Sequence, residues 1–305
     1  MCKTGLKLGA IVLAGGAIAA LAYAGATRAA DSVPDFMQGG MGWASAGGME
    51  PVAGSPPLVA QDPKVHYTAN NTGRQVDGTY EQPTWRYGDL NNPNLTDFAK
   101  AGLKKANDMV DSGFALYNRT SRCWQPGLPT LNLSPGRTYF LQTPTKVFIV
   151  WQRDQIVRTV YLNQEHTANP KPSWNGESVG HYEGDTLVVD TIGNSTKTFA
   201  DLYRTPHSEK MHVVERFQML DGGKKLQVEM TVDDPASFKE PWKGTKLWTK
   251  DTTQPDGGNV TGTFNEEIRC MDGEMVNPFN QEYASKLEPL PTDAGGAEQK
   301  LLSGG

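Results

Sequence analysis

Four residues of this chain have the types that nucleophilic or acid–base chemistry needs: Ser178, Asp190, His207 and Glu215. Ser178 is the centre of Gly176-Glu177-Ser178-Val179-Gly180, the G-x-S-x-G spelling of a hydrolase nucleophile elbow. An elbow needs a strand, a sharp turn and then a helix, so that the hydroxyl stands exposed above a parallel sheet. Here Glu183-Gly184-Asp185 is turn chemistry, and Thr186-Leu-Val-Val-Asp-Thr191 is a strand run. The pattern therefore predicts a β-hairpin, with Ser178 on a face shared with Gly180 and Tyr182. A Ser178–His207–Asp190 triad can still be written, because triads are recognised by roles and not by order. The missing elbow and the lack of an identifiable oxyanion donor count against it.

Glu215 is the candidate general acid or base. Strand alternation puts Val213, Glu215, Phe217 and Met219 on one face, and His212, Val214, Arg216 and Gln218 on the other. The first set is mostly apolar and points inward. An inward glutamate is costly unless it is paired or stays neutral. A neutral one suits acid–base catalysis; a paired one is half of a structural ion pair, for instance with Arg158. Asp190 has two readings as well, a reacting carboxylate or a cap of the Ile192-Gly193-Asn194 turn. His207 sits in Thr205-Pro206-His207-Ser208, a loop before a strand, where chemistry is often placed. Ser178, Tyr182, Tyr161 and Arg158 are candidate ligand contacts, since small-molecule sites combine aromatic walls with a few placed polar groups. The five histidines lack the close spacing of a strand or helix metal pair. Neither a metal nor a cofactor is expected.

These residues need elements to hold them. Leu95, Phe98, Ala99, Leu103, Ala106, Met109 and Val110 recur at helical spacing, capped by Asn94 or Thr96, and predict a helix over about 95–111. After Cys123 the pattern is β. Strand runs begin near Thr138, Lys146, Gln155, Glu177, Thr186, Met211, Lys225, Thr245 and Asn265, with Asp221-Gly222-Gly223 a strong hairpin turn. Strands joined by short turns predict one mainly β domain over 79–284: a single antiparallel β-barrel or half-barrel, calycin-like, with the N-terminal helix packed on it. A sandwich is the alternative. Residues 30–78 are rich in Gly and Pro and read as a flexible linker; 285–305 read as a disordered tail.

Lys3 and Lys7 precede an apolar run from Leu8 to Ala24, followed by small residues at Ala24-Gly25-Ala26 and Thr27-Arg28-Ala29. This predicts a secretory signal peptide over 1–29, hence a periplasmic or secreted protein with no stable membrane insertion after cleavage. Cys123 and Cys270 would remain as an even pair in an oxidising compartment and are expected to form a disulfide. In the chain-entropy model such a long loop is worth roughly 4–5 kcal/mol. The chain carries 34 acidic and 29 basic residues, a net charge of -5. That balance argues against nucleic acid, which requires a clustered basic face.

The stretch Gly176–Thr191 resembles a group of exported bacterial proteins of uncharacterised function, which carry a GxSxGx[WY]EGDTLVVDT motif. Cys123-Trp-Gln-Pro-Gly-Leu-Pro129, Gln142-Thr-Pro144, Arg158-Thr-Val-Tyr-Leu162, Pro206-His-Ser208, Val214-Glu-Arg216, Val232-Asp-Asp-Pro235 and Pro241-Trp242 are similar to further elements of that group. Tyr182 stands where the group usually has Trp, and Asn163-Gln-Glu-His166 where it commonly has Asp-Gly-Arg-x-His-Pro. The resemblance implies a β-rich fold and an exported home, and no established activity. The expected partner is a small, partly apolar molecule in a barrel-mouth pocket. It would be handled by acid–base chemistry as in a lyase, hydratase, isomerase or hydrolase, or simply bound by a non-catalytic module of the cell envelope. The oligomeric state is left open.

Overall fold

The computed structural model describes residues 33–37, 42–56, 59–60, 85–111, 125–134, 136–152, 155–201 and 203–250. The predicted signal peptide, Cys123, Cys270, the Asn265 strand and the tail lie outside the described residues. The chain forms a closed nine-stranded β-barrel with one α-helix among the described residues. The strands are β1 (Trp43–Pro51), β2 (Val59–Ala60), β3 (Trp85–Arg86), β4 (Arg137–Gln142), β5 (Lys146–Trp151), β6 (Ile156–Leu162), β7 (Glu177–Glu183), β8 (Thr186–Ile192), β9 (His212–Leu220), β10 (Lys225–Asp233) and β11 (Trp242–Lys250). The barrel runs β1-β11-β10-β9-β8-β7-β6-β5-β4 and back to β1, while β2 and β3 make a separate ribbon.

Alternation drives the wall. β5, β9, β10 and β11 bury every second residue, so Val147, Ile149, Phe217, Leu226, Val228, Trp242 and Trp248 point inward. Aromatic rings cross the interior: Phe140 and Phe217 lie 5.4 Å apart edge to face, and Phe217 stacks on Trp248 at 6.5 Å. The β7–β8 hairpin turns at Gly184 and pairs Ser178 with Thr191. Gly-x-Ser-x-Gly is therefore strand sequence, and its glycines are needed for packing. A Cβ on Gly176 would come within 2.5 Å of the Ile192 carbonyl oxygen, and one on Gly180 within 2.8 Å of both Val160 Cγ1 and the Val188 oxygen.

β1 corrects the linker assignment. Trp43–Pro51 falls inside the 30–78 stretch, yet it pairs with β11 along its length and with the start of β4. It carries little apolar signal because its middle is Ala, Ser and Gly. What recruits it is the two open backbone edges, β4 and β11, which one more strand satisfies. Trp43 and Met49 anchor its ends in the core. The register shifts between Ala46 and Met49, and at that irregularity the inward Lys246 ammonium donates to the carbonyls of Ala46 and Gly47. Burial pushes that amine down to about 8.

One pairing departs from the antiparallel expectation. β6 and β7 run parallel, joined by the Asn163–Gly176 connection, and pair only over Val160↔Ser178, Tyr161↔Val179 and Leu162↔Gly180. The first half of β6 therefore has no β7 partner, and the wall opens there. The helix α1 (Asp97–Asp111) begins at Thr96, whose hydroxyl accepts from the Ala99 amide at 3.3 Å. Ala99 and Leu103 of the helix join the core, its Gly102 lies against Pro206, and Leu95 just ahead of it bridges to Phe238.

Candidate functional site

Three groups of polar residues stand out: one inside the barrel, one outside it, and a third that shares Arg158 and Ser178 with the first. The first is buried inside. Arg158 of β6 and Glu215 of β9 face each other across the interior, 2 % and 0 % exposed. The guanidinium donates from Nη1 to Oε1 at 3.1 Å and from Nη2 to Oε2 at 2.5 Å, a two-pronged pair. Its Nε donates to Ser178 Oγ at 3.0 Å and its Nη2 also to Thr191 Oγ1 at 2.7 Å. Asn132, on a 3-10 turn over Thr130–Leu133, reaches in and donates to Glu215 Oε1 at 2.5 Å. Both carboxylate oxygens are thus engaged, which is the ion-pair reading of Glu215 and not the free acid. Removing water from both charges is offset only by such saturated hydrogen bonding.

The second group lies outside, on the opposite face of the same strands. Asp190 points away from the interior, as its neighbours Val189 and Thr191 point in. His212 donates to Asp190 Oδ1 at 2.8 Å, and His166 Nε2 lies 3.0 Å from the same oxygen. The other ring nitrogen of His166 is 3.1 Å from Glu177 Oε1, and Glu177 also accepts from the Thr167 amide and hydroxyl. Burial raises the Asp190 carboxyl, but the bonds from His212 and His166 outweigh it and hold it below its ordinary range. Glu177 is likewise held low, its Thr167 and His166 contacts outweighing burial. The Asp190 hydrogen bond raises His212, against the opposing effect of burial. Among the described residues no three His, Cys, Asp or Glu are placed to hold a metal ion.

His207 belongs to neither group. It is fully buried in the connection before β9, its Nε2 2.8 Å from Thr198 Oγ1 and its Nδ1 2.9 Å from the Ser208 carbonyl. Nearby, Asp201 accepts from Thr205 and Tyr203, and Asp234 holds Ser208. This dense bonding gives the connection a fixed shape. The residues expected to act together therefore do not meet: Glu215 faces in, Asp190 faces out, and His207 is in the connection. The Ser178–His207–Asp190 triad is excluded for the same reason, since Ser178 and Asp190 point to opposite sides of the wall.

The third group is where the wall opens. A cleft of about 520 Å³ sits beside the unpaired half of β6. Val157, Tyr161 and Trp174 give it apolar and aromatic surface, with Lys171, Asn175 and Gln125 around them and Arg158 and Ser178 also in its lining. Val157 and Tyr161 are 54 % and 38 % exposed, high for large apolar side chains. Asn175 donates to Gln125 Oε1 at 2.5 Å, joining the Ser173–Gly176 turn to the segment before the 3-10 turn. That turn is anchored by Ser173, whose amide donates to Gly193 O and whose carbonyl accepts from the Ser195 amide. Behind Gly176, Asn194 is fully buried, and neither its side-chain oxygen nor its nitrogen has a hydrogen-bond partner among the described residues; Asn175 Oδ1 is in the same position. Buried amide groups are rarely left in that state.

Three of the four candidate ligand contacts, Arg158, Tyr161 and Ser178, line this cleft. Tyr182 does not: it lies further along β7, where its hydroxyl accepts from Gln142 Nε2 at 2.8 Å. Trp174, Asn175 and Lys171 were not among the candidate site residues read from the sequence. Their signal was a tryptophan inside a Pro- and Asn-rich stretch between two strand runs. Fold and cleft together define a closed β-barrel with a cleft beside its short parallel β6–β7 pairing. No protein-family model matches the chain, and neither does any curated protein.

Proposed function

We propose that this chain is an exported, non-catalytic binding module, and that its site is the cleft between β6 and β7. The ligand is a small molecule with a flat apolar part and one polar or anionic group. The observation that carries this reading is the cleft itself: about 520 Å³, on the scale of small-molecule sites, with Trp174, Tyr161 and Val157 beside Lys171 and Asn175. The ring faces suit a planar apolar body. The Lys171 ammonium suits the polar group. Acid–base chemistry is disfavoured because both oxygens of Glu215 are already hydrogen-bonded and the other two titratable candidates lie elsewhere.

The test uses anilinonaphthalene sulfonate, a flat apolar anion, titrated by fluorescence into the folded protein. Saturable binding at one site is expected. Trp174→Ala should weaken it by about tenfold, the equivalent of one lost aromatic contact. Tyr182→Phe should leave it unchanged. Equal affinity for wild type and Trp174→Ala would put any binding elsewhere and end the cleft reading.

A further inference from the structure

The Asn163–Gly176 connection forms one wall of the cleft, and its first half is tied to the outside of the barrel by His166, which reaches both β7 and β8, and by Thr167, whose amide and hydroxyl donate to Glu177 alone. His166 Nδ1 faces Glu177 Oε1 at 3.1 Å and Nε2 faces Asp190 Oδ1 at 3.0 Å. Ionised carboxylates only accept hydrogen bonds, and a neutral imidazole has one N–H to give. Between two acceptors, His166 completes both bonds only as the imidazolium. His212 donates to the same Asp190 oxygen from β9, a single bond that one ring N–H supplies.

We propose that His166 is a proton-dependent latch on the cleft wall. As a cation it fastens the connection to β7 and β8 at once. On losing its proton it can donate to only one of the two carboxylates, and the Gln164–Pro172 segment, which carries Lys171, loosens. The latch stands on its own geometry; its effect on ligands rests on the cleft reading above.

The charged groups around it fix the sign. Glu177 faces His166 from β7, Asp190 from β8, and His212 from β9 through Asp190, while Asp233 on β10 adds its field at His212 and Glu165 adjoins on the same segment. With both imidazoles protonated and Glu177 and Asp190 ionised, that foursome is neutral. With both imidazoles neutral, two uncompensated carboxylates remain. His212 is raised above its ordinary 6.5, so its contribution is fully present below that value and is lost as pH rises through the folded value. Asp190 and Glu177 are lowered, so their contribution is present above their ordinary 3.8 and 4.5 and is lost as pH falls further. Because His166 bonds both carboxylates only while both ring nitrogens carry protons, the latch is closed in mildly acidic solution and open in alkaline solution.

Hydrogen–deuterium exchange of the full chain reads the latch without any ligand. After correction for intrinsic rates, amides in 163–172 should exchange about tenfold more slowly near pH 5.5 than near pH 8, the scale of one charge-assisted hydrogen bond. His166→Gln keeps one amide donor but cannot titrate, and it should abolish that pH dependence. A pH-independent segment in wild type, or one that still responds in His166→Gln, overturns the proposal. Affinity for anilinonaphthalene sulfonate, measured at the same two pH values, reads the coupling. A change in wild type that disappears in His166→Gln supports control of the cleft. If exchange switches while affinity stays flat in both proteins, control of the cleft is overturned and the latch alone stands. If Trp174→Ala binds the probe like wild type, the cleft reading fails, and exchange still decides the latch.

Discussion

Glu215→Gln should destabilise the barrel by roughly 3–5 kcal/mol, visible as a collapsed thermal melt. The cause is the partner left behind. Arg158 is 2 % exposed, and among the described residues no other carboxylate is bonded to its guanidinium. Gln keeps the shape and can accept one of the two bonds, but it supplies no charge. The Ser178 and Thr191 hydroxyls then face an uncompensated cation. A melt near wild type would mean that the Arg158 charge is not confined by the barrel, and would reopen a chemical role for Glu215. The double variant Arg158→Met with Glu215→Leu separates pairing from packing. It should recover much of the loss, because a buried ion pair is often replaceable by apolar side chains of similar volume.

Trp43→Ala should cost a similar amount, about 3–5 kcal/mol. Trp43 is fully buried, its indole N–H donates to the Phe36 carbonyl at 2.9 Å, and it anchors the strand that closes the barrel between β4 and β11. Urea denaturation should show a lower midpoint, together with faster amide exchange along β11, whose β1-facing edge would lose its partner. If residues 43–51 were only a linker, truncating Trp43 would change stability by no more than about 0.5 kcal/mol, the usual range for surface positions.

These two sites mark the limits of what the sequence discloses. Glu215 was legible because β alternation is strict: an acidic residue in phase with Val213 and Phe217 must go inside, and Arg158 was a natural partner. The β7–β8 hairpin was legible for a similar reason, since Glu183-Gly184-Asp185 between two β-rich runs allows little else. β1 was not legible, because its middle residues are small and its strand state comes from the backbone edges that it satisfies. The cleft was hidden for a topological reason. Tyr161 and Trp174 line one surface only because β6 and β7 run parallel with three paired positions, and no local pattern announces a register. The His166–Asp190–His212 chain was hidden likewise, since it joins residues from a connection and two strands.

On the proposed reading, ligand binds in the cleft and not inside the barrel. The most direct measurement is backbone amide shift mapping by NMR of the isotope-labelled protein during titration with anilinonaphthalene sulfonate. Saturable shifts are expected at 157–161 and 171–178, with the amides of Glu215, Phe217 and His207 little changed. Shifts centred on Glu215 and His207, or none at 171–178 at saturation, would contradict it.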